Sequence, residues 1–213
     1  MTMPIVDYDE ADKLEDTIQA KQHSMRAIRS TRYNNRVWVK KDFQSSQVLS
    51  TTHWWRGLSA LPVEQSDVIV IGKISETQAY LSNDKSGIYT EFTILVDQIL
   101  KSSKNIPLSV GDSLTGERAG GAVRYRSGQV TKYFFSGQGF PRLGRTYVLF
   151  LKRNSEGQDY HILTGYQLRK GKVTPLDQVD FFAHYEGQEQ RSFLDEILEI
   201  ITQAEKKSTS GWR

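Results

Sequence analysis

The fold is decided by residues 66–101, whose sequence is SDVIVIGKISETQAYLSNDKSGIYTEFTILVDQILK. Its first half is rich in β-branched side chains and ends at the polar residues 82–87, a composition typical of a hairpin loop. In residues 88–101, apolar and polar side chains then alternate, and a period of two places the apolar ones on one face of a strand. The stretch therefore predicts two long antiparallel strands.

Short apolar runs separated by Gly, Asn, Asp and Pro continue from this hairpin to residue 177. Further strands are predicted at residues 108–118, 123–126, 130–136, 146–153, 159–170 and 172–174. Beyond them, apolar residues at helical spacing predict an amphipathic helix; these are Phe193, Leu194, Ile197, Leu198 and Ile201. The pattern predicts a mainly β fold, a small closed OB-like β-barrel, with this helix packed against the barrel or capping one end.

The N-terminal third reads as an appendage to this barrel. Residues 8–30 carry a thin apolar stripe at helical spacing, which predicts a helix. Residues 31–65 include three tryptophans, which favours an arm packed on the barrel over a disordered linker. We therefore expect three parts: an N-terminal helix and arm at 1–65, the barrel at 66–177, and a C-terminal helix and tail at 178–213.

Three runs carry a resemblance to known proteins: SDVIVIGKI at 66–74, SNDKSGIYTEF at 82–92 and YVLFLK at 147–152. They resemble uncharacterised bacterial proteins, and their layout is similar to netrin-like or metalloprotease-inhibitor OB barrels. Many of those bacterial proteins look exported. The inhibitor barrels bind a metal through an N-terminal cysteine, which this chain lacks, so inhibition by that route does not transfer.

The absence of cysteine excludes disulfide frameworks, zinc fingers, thiolate nucleophiles and iron–sulfur sites. The four histidines are scattered and no HExxH motif is present. No glycine-rich segment matches a phosphate loop, and no serine sits in a nucleophile elbow. We therefore expect no catalytic residue, no metal and no cofactor. A hydrolase assembled from scattered residues stays open, and a cleft with converging, pKa-perturbed groups would favour it.

Charge is distributed in blocks although the net charge is only +3. Residues 7–16 are acidic, residues 17–62 are basic apart from Asp42, and residues 177–205 are again acidic. Residues 118–153 carry eight Lys or Arg and no acid. Such blocks pair with each other or with outside partners.

The basic stretch interleaves cations with aromatic rings, as single-strand nucleic-acid binders on OB barrels do. Its candidate partner-binding residues are Arg124, Arg126, Lys132, Tyr133, Phe140, Arg142 and Arg145. The alternative is that the rings fill the barrel while the charges face solvent, which is the usual arrangement within strands.

A second cluster, His53, Trp54 and Trp55, adds to the candidate partner-binding residues. Adjacent tryptophans in an extended segment point to opposite sides. One of them would then pack the arm onto the barrel while the other is exposed to a ligand or a protein partner. The alternative is that both tryptophans only pack the arm onto the barrel.

We expect a non-enzymatic binding module whose protein or small-molecule partner is not specified, with a single-stranded nucleic-acid binder as the alternative. No apolar run is long enough to cross a bilayer, so we expect no membrane insertion. The N-terminus shows no signal-peptide pattern. As the sequence stands this favours the cytoplasm, whereas removal of a leader would mean export.

Overall fold

The computed structural model describes residues 3–9, 25–39, 47–48, 54–103, 105–156 and 158–210 of the 213-residue chain. Within these ranges the fold is mainly β. The strands are β1 (Ile5–Asp7), β2 (Gln47–Val48), β3 (Val68–Leu81), β4 (Ile88–Ser102), β5 (Ser113–Ala119), β6 (Gly121–Arg124), β7 (Val130–Phe134), β8 (Thr146–Arg153), β9 (Tyr160–Arg169) and β10 (Lys172–Pro175). The helical segments are α1 (25–31), α2 (Asp180–Ala183) and α3 (Gln190–Ser210).

Six strands form the larger sheet, in the order β10-β9-β5-β4-β3-β8, and β8 also pairs with β9. The predicted hairpin is confirmed as β3 and β4, which pair antiparallel from Val68 to Leu81. Every pairing in this sheet is antiparallel except that of β5 with β9, which is parallel and two residue pairs long.

A second sheet has the order β1-β6-β7-β2. It corrects the expectation that all strands predicted within residues 66–177 belong to one barrel. The predicted hairpin around residue 128 exists as β6 and β7, but it belongs to this sheet and not to the one that contains β3 and β4. Gly120, with φ of 104°, redirects the chain between β5 and β6; a Cβ there would come 2.7 Å from the Tyr133 carbonyl oxygen. Strands β1 and β2, which the sequence pattern did not predict, pair parallel with β6 and β7.

Residues 68–72 of β3 and 147–151 of β8 are buried on both faces. Val68 and Val70 lie in one core, called the inner core here, whereas Ile69 and Ile71 lie in a second, the outer core, on the opposite face of the sheet. Alternation along the strand sends neighbouring side chains to opposite sides. Both sides are covered here, which explains why this run is continuously apolar.

The outer core is completed by the predicted C-terminal helix, which is confirmed as α3. Phe193, Ile197 and Ile201 pack there with Val63 from the segment that precedes β3. Of the predicted N-terminal helix, residues 25–31 are helical and residues 10–24 lie outside the described ranges. Among the described residues, no helix combines the length and the apolarity that crossing a bilayer requires.

Candidate partner-binding surface

The main charged cluster lies where α1 crosses β4 and β5. Arg29 Nε donates to Glu91 Oε1 at 2.7 Å. The two terminal nitrogens of Arg32 donate to the Asp159 carboxylate at 2.6 and 2.9 Å, and Arg32 Nη1 lies 2.9 Å from Glu117 Oε1. Arg29 on α1 and Arg32, directly after its last residue, therefore pair with three carboxylates of the larger sheet and its loops.

Local structure brings these groups together. Glu91 and Glu117 are register partners on β4 and β5, so the two acids share one face of the sheet. Asn154 Nδ2 donates to Glu117 at 3.1 Å and to Asp159 at 2.7 Å, which gathers the third carboxylate. Arg29 lies on α1 and Arg32 in the turn that follows it, where the backbone nitrogen of Arg32 donates to the Arg29 carbonyl oxygen at 3.2 Å. Both guanidinium groups thereby reach the acids.

Aromatic contacts surround the ion pairs. The Tyr33 ring stacks on the Tyr89 ring with centroids 4.5 Å apart and planes within 4° of parallel. Ser30 Oγ and Tyr89 Oη lie 2.8 Å apart in a hydrogen bond. Ala119 packs into the same group, and the guanidinium of Arg26 lies 4.4 Å from the centre of a further tyrosine ring. Contact with α1 therefore involves stacking and burial as well as charge.

The loop between β3 and β4 holds the residues that follow α1. The backbone nitrogen of Asn35 donates to Asp84 Oδ2 at 2.7 Å, and those of Trp38 and Val39 donate to the Ser86 carbonyl oxygen at 2.8 and 3.0 Å. Burial alone would raise the pKa of Asp84. Hydrogen bonds from Ser82, Asn35 and Ser86 outweigh it and hold that pKa well below its usual range.

We call this surface the helix-binding face; it comprises Tyr89, Glu91, Glu117, Ala119, Asp159 and residues 82–87. Glu117 is 2% exposed and Asp159 is fully buried. Burial, with a contribution from the Asp159 charge, raises the pKa of Glu117 to about 7 against the opposing effect of Arg32. Burial would lower the pKa of Arg32, but its hydrogen bond to Asp159 and the charge of Glu117 raise it. Buried acids such as these are stable only with a cationic partner beside them.

The contact with α1 leaves two polar atoms unsatisfied. Among the described residues, three buried side-chain atoms have no hydrogen-bond partner: Glu117 Oε2, Arg26 Nε and Gln138 Oε1. The first two belong to the helix-binding face and to α1. The helix therefore covers this face without meeting every hydrogen-bonding group beneath it.

A second charged cluster is internal. Arg118 and Asp177 are both fully buried, and Arg118 donates to both carboxylate oxygens at 2.6 and 2.9 Å. It also donates to the carbonyl oxygens of Ile162, Leu163 and Gly139, so all five of its N–H groups are used. This arginine heads the basic stretch of the sequence, yet it links strands inside the fold.

The remaining candidates of the basic stretch fall into three groups. Arg124 and Arg126 pair with Asp7 and Asp9 at 3.3 and 3.0 Å, so the acidic N-terminal block partly neutralises them. Tyr133 is fully buried and Phe140 is 3% exposed. These two rings would have to leave the interior to stack on a base. All five cations remain exposed: Lys132, Arg142 and Arg145, and also Arg124 and Arg126, whose side chains are 49% and 87% exposed.

The tryptophan cluster serves the outer core. Trp54 and Trp55 are half-buried, lie edge to face with centroids 5.5 Å apart, and pack against the core beside α3. Trp54 Nε1 donates to the Ser136 carbonyl oxygen at 3.0 Å, and its ring centre lies 5.5 Å from the guanidinium of Arg118. Both rings therefore contribute to arm packing. His53 lies outside the described residues.

Sequence reasoning missed the residues that form the helix-binding face. The missing signal was the combination of arginines at 26, 29 and 32 with the acids Glu91 and Glu117 in strands. From the sequence, the arginines belong only to a basic block, and period-two alternation places Glu91 on the strand face opposite its apolar side chains. Only the register of β4 with β5 shows that these acids are neighbours.

Perturbed groups do converge at this face, which bears on the hydrolase alternative. Beside Glu117, burial lowers the pKa of His161 on β9 to about 4. Arg32 pairs with Glu117, and its charge lowers the pKa of His161 further, so both groups lie near this arginine. An open groove of about 520 Å³ beside the start of α3 is lined by other residues, including Gln98, Leu100 and Leu194.

No protein-family model matches this chain, and a search of curated proteins finds no match either.

Proposed function

We propose that the protein is a non-enzymatic binding module built on a closed, OB-like barrel. Support for the barrel comes from the cyclic order of the pairings, β3-β4-β5-β9-β8, in which β8 returns to β3. An OB fold is a five-stranded Greek-key barrel that is partly open, so a short β5–β9 contact is compatible with it.

The observation that carries the binding role is the position of α1. OB barrels bind ligands on the face of their second and third strands, flanked by the first and fourth hairpin loops. When β3 is counted as the first barrel strand, β4 and β5 are the second and third strands. The first loop is then residues 82–87, and the fourth is the loop between β8 and β9. They are the elements of the helix-binding face, so the chain's own helix occupies the ligand position of the proposed barrel.

The chemistry of this face favours a cationic peptide as its ligand. Glu91, Glu117 and Asp159 attract guanidinium groups and repel phosphates. The surrounding tyrosines add flat apolar area, which is typical of protein interfaces. A binding role also explains why Glu117 and Asp159 are both paired with an arginine of the docked segment.

An experiment with single cysteines tests whether this face opens without unfolding. The chain has no cysteine, so one introduced thiol is unique. Ala119→Cys places it under Tyr33, and Val70→Cys, the matched control, places it in the inner core. We expect a thiol reagent to modify the first variant at least about tenfold faster under native conditions, because only α1 and the residues that follow it, 32–39, must depart.

Equal labelling rates for the two variants would contradict the proposal. They would mean that the helix-binding face is exposed only when the whole domain unfolds, so that α1 is a permanent part of the fold.

Single-stranded nucleic-acid binding is a second candidate, favoured by the exposed cations Lys132, Arg142 and Arg145. The buried rings of Tyr133 and Phe140 weigh against it. Titration with labelled oligonucleotides at two salt concentrations separates the candidates. Binding that weakens steeply with salt supports the nucleic-acid role, and no binding at low salt removes it.

A further inference from the structure

We propose that the helix-binding face takes an arginine-bearing helix of another protein, and that α1 is the built-in occupant which this partner displaces. The inference rests on the proposed function and adds to it the chemical class of the partner. Its starting point is the fit of α1 itself, because a site that already holds one helix defines what a competing helix must provide.

Two features show that α1 fits the face incompletely. Glu117 Oε2 is buried and accepts no hydrogen bond from any described residue, and Arg26 Nε is buried and donates none. Tyr33, which follows α1, interacts with the Glu117 carboxylate through its hydroxyl. A helix with a charged donor that reaches Glu117 Oε2 would add a charge-assisted hydrogen bond there.

Strain adjacent to α1 points the same way. Val37 adopts φ of 56° while its side chain is 70% exposed. A β-branched residue in the left-handed region is strained, and exposure leaves little packing to offset the strain. Undocking the segment releases that strain, which favours exchange for a partner.

The contacts of α1 specify the partner. It carries two arginines three residues apart at the end of its helix, as Arg29 on α1 and Arg32 in the turn after it do, to meet Glu91 and the pair formed by Glu117 and Asp159. A flat ring directly after the second arginine stacks on Tyr89, and a small polar residue between the arginines reaches the Tyr89 hydroxyl. An anionic partner is excluded by the three buried acids.

A labelled synthetic peptide of residues 25–39 serves as the probe of this class. It is titrated into the full wild-type chain and into the full Arg29→Glu/Arg32→Glu chain, whose own helix is repelled. The measurement is fluorescence anisotropy at about pH 8, where the Glu117 carboxyl is ionised. We expect the peptide to bind the substituted chain at least about tenfold more tightly than the wild-type chain.

The control peptide carries Arg29→Glu and Arg32→Glu, and we expect it to bind neither chain. If the substituted chain does not fold, Arg29→Gln/Arg32→Gln replaces it, because this variant removes the pairs without adding repulsion. The expected preference of the peptide for the substituted chain is then the same.

Two results would overturn the inference. The first is no saturable binding of the probe peptide, although Ala119→Cys labels fast; the face then opens but rejects a basic helix, and the proposed function survives. The second is a wild-type dimer that dissociates on Arg29→Glu/Arg32→Glu substitution, which would make a second copy the occupant. Slow labelling of Ala119→Cys, in contrast, would count against the proposed function itself.

Discussion

The buried pair of Arg118 and Asp177 gives a quantitative prediction about what holds the larger sheet together. Asp177 Oδ1 accepts from Arg118 and from the backbone nitrogen of Gly139, and its Oδ2 accepts from Arg118 and from Thr164. The substitution Asp177→Asn keeps the shape, but it removes the charge and turns one acceptor atom into a donor. The new NH₂ group then faces at least one N–H donor that has no other acceptor.

The expected loss follows from burial. Both side chains have no exposed surface, so water cannot replace the lost acceptor. Removing one member of a buried ion pair destabilises a protein by about 3–5 kcal/mol, because the remaining charge stays buried and uncompensated. We therefore expect Asp177→Asn to lower the free energy of unfolding by about 4 kcal/mol, a large part of the roughly 5–15 kcal/mol of a typical domain.

Urea denaturation followed by circular dichroism measures this loss. With a slope of about 2 kcal/mol per molar urea, the midpoint should fall by about 2 M. Asp195→Asn, at an exposed position on α3, is the matched control and should change stability by less than about 0.5 kcal/mol. A midpoint for Asp177→Asn that coincides with that of the control would refute the argument from burial.

Two further predictions concern the region around α1. The folded chain keeps the Glu117 proton up to about pH 7, whereas the unfolded chain loses it near pH 4.5; the stabilisation from this group is therefore lost as the pH rises through that window. As the pH rises between these values, the unfolding free energy of Glu117→Gln should increase relative to that of wild type, by on the order of 3 kcal/mol in total. Unfolding free energies from urea denaturation that change in parallel with pH for the two proteins would show the reasoning to be wrong. Val37→Asn should relieve strain of about 1 kcal/mol and slow thiol labelling of Ala119→Cys about fivefold, because asparagine tolerates positive φ. Val37→Thr, which is also β-branched, should leave the labelling rate unchanged, and equal effects of the two substitutions would rule out strain as the cause.

The charge blocks of the chain acquire a physical meaning from these contacts. Part of the basic block at 17–62 pairs with acids of the larger sheet, and part of the acidic block at 7–16 pairs with Arg124 and Arg126. Opposite charges close in space lower the energy of the docked arm, and salt screens the exposed pairs more than the buried ones. Charge thus adds to the strand pairing of β1 and to the backbone hydrogen bonds and ring stacking of residues 33–39 in holding these parts of the chain to the β structure.

The sequence by itself determined the elements that depend on local pattern. Period-two alternation and the polar loop at 82–87 predicted β3 and β4, and helical spacing from Phe193 to Ile201 predicted α3. Both patterns can be recognised in the sequence because each depends only on which face of its own strand or helix is buried. The mainly β class and the packing of the tryptophan arm follow from the same kind of signal.

Only the tertiary structure decided which distant residues meet. The division of strands into two sheets, the pairing of Arg32 with Asp159 across 127 positions, and the burial of Arg118 depend on register and strand order. From composition alone an arginine is predicted to lie on the surface, because burying an unpaired charge is unfavourable. An acid from another element removes that penalty, and no local pattern reveals which acid it is.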